Sequence, residues 1–279
     1  MPDVYAPATA REWGRITVAD GVEIAYTERG SGPPLVLVPG WTLSGEVFEH
    51  QLAGLGPRWR VITFDPRSHG RSTVTAEGNS YPQQGRDLVA RLDALGLSEV
   101  HLVGWSYGGL ACYAAIDQAG SERLRSLTVI DMTPKPLGTG AEGEWAEEDL
   151  DGFLDGYVAP MVAAPEAFAA DFAAWLLARA PEPPVQRWLA AMHLATPRHA
   201  AESLQVSAIL SDYRDLARSL SARLPFANVV RRDWLDQAEP WLSAHAPEAA
   251  LWAMPSHLGF WDSPADFNER LAAFLAGGR

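Results

Sequence analysis

The stretch Val100–Ala111, VHLVGWSYGGLA, decides the fold. Val100 to Val103 are apolar or β-prone, the next residues are rich in glycine, and LACYAAI from Leu110 restarts as a helix. Gly104-Trp105-Ser106-Tyr107-Gly108 therefore matches G-x-S-x-G with a strand before it and a helix after it. In such a turn the serine backbone is strained, and the flanking glycines let strand and helix approach without a Cβ clash. The hydroxyl then stands above the carboxyl end of the sheet, beside the positive end of the helix.

Working outward, PLVLVPG, RVITFD, VHLVG and LTVID are short apolar runs that each end in turn residues. They read as strands buried on both faces, as in a parallel sheet. Between them EVFEHQLAGL, YPQQGRDLVARLDALG and YGGLACYAAIDQAG carry a helical pattern. Strand and helix in alternation predict an α/β architecture, a mostly parallel sheet flanked by helices. Ahead of it, GRITVADGVEIAYTERG alternates on both sides of Asp20-Gly21 and predicts a two-residue hairpin. From 133 to 224 only helical segments appear, among them EEDLDGFLDGYVAPMV and one long helix RHAAESLQVSAILSDYRDLARSL, which predicts a helical cap. The core is accordingly placed at 1–132 and 225–279, the latter with strands FANVV and AALWAM, and TPKPLGTG is the expected hinge.

Composition narrows the function. The 279 residues are 47% hydrophobic and 20% charged, as in ordinary globular proteins, and lack a run long enough to cross a bilayer. A formal charge of −13 opposes binding to nucleic acid or anionic membranes, so the expected partner is a small-molecule substrate. The first residues show no signal-peptide pattern, which predicts a cytoplasmic protein. Cys112 stands alone within a helical segment and reads as a small buried residue. No H-E-x-x-H, paired C-x-x-C or helix-opening G-x-G-x-x-G occurs, so no metal or organic cofactor is expected.

A serine hydroxyl needs a base to become a nucleophile. Of the seven histidines, His50, His193, His199 and His245 fall in predicted helices, His101 in a strand and His69 in the turn DPRSHGRS. His257 follows the last strand and precedes the last helix, on the same sheet edge as Ser106. It also fits the chain order serine, acid, histidine. Two acids compete. Asp131 ends the strand after the helix of Ser106, and Asp233 follows the strand FANVV, where many proteins of this architecture carry the acid. Asp131 is favoured, because VVRRDW stands where a glycine turn is usual and the stretch from Asp233 to His257 is short. Two backbone N–H groups would receive a developing oxyanion, one from Tyr107 and one from Trp41 in PGWTLSG. Trp105 is a further candidate for contact with substrate.

LVLVPGW, FDPRSHGRS, GWSYGG and PSHLGFWDSP together resemble the α/β-hydrolase fold superfamily from about Trp13 to the last helix. Pro39 and Ser68 depart from its usual residues, histidine and glycine respectively. A narrower similarity links PGW, RDLVARLDALG, DQAGSER and DMTPKP to the cofactor-independent dioxygenases that open the ring of 3-hydroxy-4-quinolones. That resemblance implies a base made of His257 and Asp131, with Ser106 not acting as nucleophile. Those enzymes flank the serine with histidines and carry another near the oxyanion loop, whereas Trp105, Tyr107 and Leu43 stand here.

The resulting expectation is a serine hydrolase that cleaves a carboxylic ester, thioester or lactone through an acyl-enzyme on Ser106. The alternatives are the cofactor-free dioxygenase and a non-catalytic binding protein on the same fold. Phe153, Tyr157, Met161, Phe168, Phe172, Trp175, Trp188 and Met192 in the cap predict a medium-sized, partly hydrophobic substrate.

Overall fold

A computed structural model describes Tyr5 and residues 12–277. Its eight strands are β1 (Gly14–Thr17), β2 (Glu23–Arg29), β3 (Pro34–Val38), β4 (Arg60–Phe64), β5 (Val100–Trp105), β6 (Leu124–Ile130), β7 (Phe226–Arg231) and β8 (Ala250–Met254). They form one sheet in the order β1-β2-β4-β3-β5-β6-β7-β8. β1, β2 and β4 pair antiparallel, and every pair from β4 to β8 is parallel. This is the α/β-hydrolase architecture that the alternation of apolar runs and helical patterns predicts.

The apolar runs are continuous because helices cover both faces. Val36 and Val38 of β3 join one cluster with Leu102, Val129 and Val230. Leu35 and Leu37 point the other way, with Val61, Val103 and Val229. The first face is covered by α2 (Tyr81–Ala94) and α3 (Tyr107–Ala119), the second by α1 (Glu49–Leu55) and the terminal helix Pro264–Leu275. Ser80 opens α2 by accepting the Gln83 N–H, and Pro82 occupies its first turn. Cys112 is fully buried in α3, and burial raises its thiol pKa.

Between β6 and β7 the regular elements are helices: α4 (Leu150–Phe153), α5 (Ala159–Ala163), α6 (Pro165–Trp175), α7 (Pro183–Ala195), α8 (Arg198–Ile209) and α9 (Arg214–Ser221). After β7 come α10 (Leu235–His245), then α11 (Gly259–Asp262) and α12 (Pro264–Leu275) beyond β8.

Three local expectations are corrected. The first hairpin does not turn in two residues: Thr17 pairs with Glu23, and Asp20 and Gly21, both at positive φ, form the tip of a wider loop. The long cap helix breaks into α8 and α9, where Asp212 accepts the Arg214 N–H and Tyr213 N–H donates to Pro134 O. The helix expected from Glu147 begins at Leu150, because the Asp149 carboxylate caps it by accepting the Gly152 N–H at 2.8 Å. Glu147 is thereby left in the preceding turn.

The elbow at Ser106 is set by close backbone approach. A Cβ on Gly108 would lie 2.4 Å from Val38 O and 2.6 Å from Pro39 O, and one on Gly104 would lie 2.7 Å from the backbone of Gly109. Gly108→Ala is therefore expected to lower stability by about 2 kcal/mol or more. Gly156→Ala, whose Cβ would meet nothing within 4 Å, is expected to be neutral or stabilising by up to about 1 kcal/mol. Urea denaturation of the two variants checks the contrast.

Candidate active site

Five neighbouring strands, β3, β5, β6, β7 and β8, deliver their carboxyl ends to one edge of the sheet. Trp41 follows β3, Ser106 follows β5, Asp131 follows β6, Arg231 ends β7 and His257 follows β8. Ser106 has φ 53° and ψ −137°, a conformation that L-residues rarely adopt and that the fold holds by packing. Its N–H donates to Ile130 O at 2.7 Å, its C=O receives the Gly109 N–H, and a Cβ on Gly40 would meet Ser106 Cβ at 2.8 Å.

Asp131 is fully enclosed and has a left-handed backbone, φ 49°. Three donors meet its carboxylate: the Arg231 backbone N–H at 2.7 Å, Arg231 Nη1–H at 3.0 Å and His257 Nδ1–H at 2.6 Å. A carboxylate only accepts, so Nδ1 carries the proton and Nε2 is the free lone pair of the neutral ring. Asp233 stands outside this arrangement. Its side chain is 75% exposed and accepts from Arg231 Nε at 3.2 Å, with the guanidinium between it and the imidazole's partner. The structure brings Asp131 to His257 and does not bring Asp233 there.

Burial lowers the pKa of His257 below 6.5, and the hydrogen bond and charge of Asp131 pull it partly back. The ring is fixed from all sides. Trp105 Nε1–H donates to His257 O at 2.7 Å, the Trp175 ring lies 4.7 Å from the imidazole, and Leu258 N–H donates to Leu176 O. Trp105 packs behind the histidine against Phe260, so its role differs from the substrate contact expected of it.

The backbone N–H groups of Trp41 and Tyr107 donate to no acceptor among the described residues. Two unpaired N–H groups beside a strained serine form an acceptor-seeking site. The Trp41 loop is held by histidines that sequence reasoning sets aside. Thr42, at φ 60°, donates its N–H to His69 Nε2 at 3.0 Å, and its hydroxyl donates to Trp41 O, so His193 Nδ1–H donates to that hydroxyl at 2.7 Å. Burial pushes the pKa of both His69 and His193 down to about 4, so both rings are neutral donors and acceptors near neutrality. A helical or turn position gives no sign of such a role, which depends on α7 crossing over the β3 loop.

Ser106, Asp131, His257 and Arg231 line a cavity of about 130 Å³ whose remaining walls are Met132, Glu147, Glu148, Tyr157, Trp175 and Trp234. The cap aromatics mostly pack elsewhere. Tyr157 and Trp175 reach the cavity, while Phe168 and Phe172 surround Trp41 and His193. Phe153, Met161, Trp188 and Met192 are likewise absent from its walls. The space is small, and its walls combine the carboxylates of Asp131, Glu147 and Glu148 with Met132, Tyr157, Trp175 and Trp234. Since a 150 Å³ cavity accepts benzene, this one suits a group of about six heavy atoms. Arg231 and Glu147 belong to the site without any motif to mark them.

A model of the alpha/beta hydrolase fold matches residues 33–242. The chain belongs to that family. Within the α/β-hydrolase fold, it is 35% identical over 147 residues to a non-heme haloperoxidase from Rhodococcus erythropolis, covering 51% of this chain and 53% of that protein. A 2-heptyl-3-hydroxy-4-quinolone dioxygenase from the same organism is 28% identical over 138 residues, 48% of this chain and 50% of that one. The chain thus spans about half the length of these curated relatives. Among solved structures, an esterase from Exiguobacterium antarcticum superposes with a TM-score of 0.82 at 21% identity, covering 94% of this chain and 98% of that one. No helix of the described residues is long and apolar enough to cross a membrane.

The imidazole of His257 is expected to titrate below 6.5 in an NMR pH series. Asp131→Asn, which removes the carboxylate's charge and its charge-assisted hydrogen bond, both of which pull the value upward, is expected to lower it further. A rise in the variant would contradict the assigned hydrogen bond.

Proposed function

We propose that this protein is a serine hydrolase that cleaves a carboxylic ester, thioester or lactone through an acyl-enzyme on Ser106. The observation that carries the reading is His257, fixed by Asp131 at 2.6 Å and lining the same small cavity as the strained Ser106. In this reading His257 Nε2 takes the Ser106 proton as Oγ attacks the acyl carbon, and the Trp41 and Tyr107 N–H groups receive the oxyanion. The imidazolium then gives the proton to the leaving group, and a water repeats the sequence to release the acid. Asp131 holds the tautomer and stabilises the transient charge. Asp233 has no part in it.

A second reading, cofactor-free oxygenation of a hydroxyquinolone-like compound, is favoured by the partial similarity to the quinolone dioxygenase and by the acid's position after β6. Against it stands the cavity of about 130 Å³, too small for a bicyclic ring bearing substituents.

Fluorophosphonate labelling followed by peptide mass spectrometry is expected to modify Ser106 alone and to fail in Ser106→Ala. With a small aryl ester, Ser106→Ala and His257→Ala are each expected to lower kcat by about 10⁶-fold, and Asp131→Asn by about 10⁴-fold. Asp233→Asn should change it less than about twofold, as expected of an exposed surface ion pair. Folded protein that resists the label, yet consumes oxygen with a hydroxyquinolone in a manner lost in His257→Ala and only reduced in Ser106→Ala, would establish the second reading instead.

A further inference from the structure

Two side-chain donors converge on one oxygen of Asp131. Oδ2 accepts His257 Nδ1–H at 2.6 Å and Arg231 Nη1–H at 3.0 Å, while Oδ1 takes the Arg231 backbone N–H at 2.7 Å. The oxygen that steadies the imidazole is therefore the one the guanidinium neutralises. A carboxylate oxygen shared in this way offers each partner less than it would offer either alone.

The guanidinium is fixed in that place. Its Cζ lies 3.8 Å from the centroid of the Trp234 ring and 5.8 Å from that of Trp175, and its Nε–H donates to Asp233 at 3.2 Å. Burial opposes its charge, but Asp131 and Asp233 together outweigh burial, so the group stays protonated wherever a histidine titrates. Trp175 also lies 4.7 Å from the imidazole. A protonated His257 would thus set two cations against one ring and one oxygen.

We propose that Arg231 is a positioning residue for the proton-transfer step: its guanidinium takes up part of the Asp131 Oδ2 charge and thereby keeps His257 a neutral base into mildly acidic solution. This deepens the acyl-transfer reading and rests on it for its catalytic consequence. A shared Oδ2 gives less support to the imidazolium of the transition state, so some basicity is lost in exchange for a base that stays deprotonated at lower pH. Burial is the largest cause holding His257 below 6.5; Arg231 acts in the same direction, and Asp131 and Asp233 act against both. Further charged groups on this side are carboxylates: Glu147 and Glu148, before α4, line the same cavity, and Asp262 of α11 accepts from the Ser256 hydroxyl. Carboxylates favour the charged ring, and the guanidinium opposes it.

NMR titration of His257 in the wild type, Arg231→Gln and Arg231→Lys tests this without turnover. Arg231→Gln keeps a side-chain donor and removes the charge, and the His257 midpoint is expected to rise by about one pH unit. Arg231→Lys keeps the charge and is expected to show a smaller rise. The acid limb of kcat/KM for a small aryl ester should move with the NMR midpoint. A midpoint unchanged or lower in Arg231→Gln, or one that rises as far in Arg231→Lys, as loss of packing alone would produce, would overturn the proposal. A wild-type measurement covers the case in which the variants fail to fold: the Arg231 Nε–H resonance is expected to shift with the same midpoint as the His257 ring, and a resonance indifferent to that titration would count equally against the shared oxygen. If Ser106 resists labelling and no ester is cleaved, acyl transfer fails, while the NMR midpoints still decide the role of Arg231.

Discussion

A carboxylate with no access to water has to be neutralised by groups the fold brings to it, and in this protein that carboxylate is Asp131. Its three donors come from β7 and from the loop after β8, so the ends of β6, β7 and β8 are tied at one point. Losing a donor would leave a charge buried without compensation, which costs several kcal/mol more than the pair itself contributes. The same bonds fix the imidazole's tautomer and orientation. Stability and site geometry therefore share one set of contacts at the sheet edge.

A steric constraint works beside this electrostatic one. Gly40, Gly104 and Gly108 let the β3 loop, the end of β5 and the first turn of α3 approach at distances where any Cβ would clash. The contact holds Ser106 at positive φ and sets the two unpaired N–H groups of Trp41 and Tyr107 at the same edge. The cap adds the remaining pieces: His193 reaches from α7 to Thr42, and Tyr157 reaches from between α4 and α5 to Glu147.

Arg231 explains why His257 meets Asp131, after β6, and not Asp233. At the end of β7 the guanidinium lies 3.8 Å over the Trp234 ring and turns one face to Asp131, leaving Asp233 on the solvent side. An acid at Asp233 would have to displace that stacked arginine to reach the imidazole. The sequence VVRRDW marks this departure as an unusual turn, and the packing gives it a physical cause.

The sequence by itself determined the sheet, because apolar runs buried on both faces and glycines flanking a serine are local patterns with few other solutions. It also singled out Ser106 and His257, whose positions between strand and helix place them at one edge, and it favoured Asp131 through the awkwardness of its rival. Only the tertiary structure decided what meets at that edge. Trp105 turned behind the histidine rather than toward a ligand, and the cap aromatics closed on Trp41 and left a small acidic cavity. Glu147, read as part of a helix, was freed by a cap at Asp149 and came to face Tyr157. Each of these outcomes depends on which elements cross in space, and a residue's neighbours across such a crossing leave no periodicity in the chain to be read.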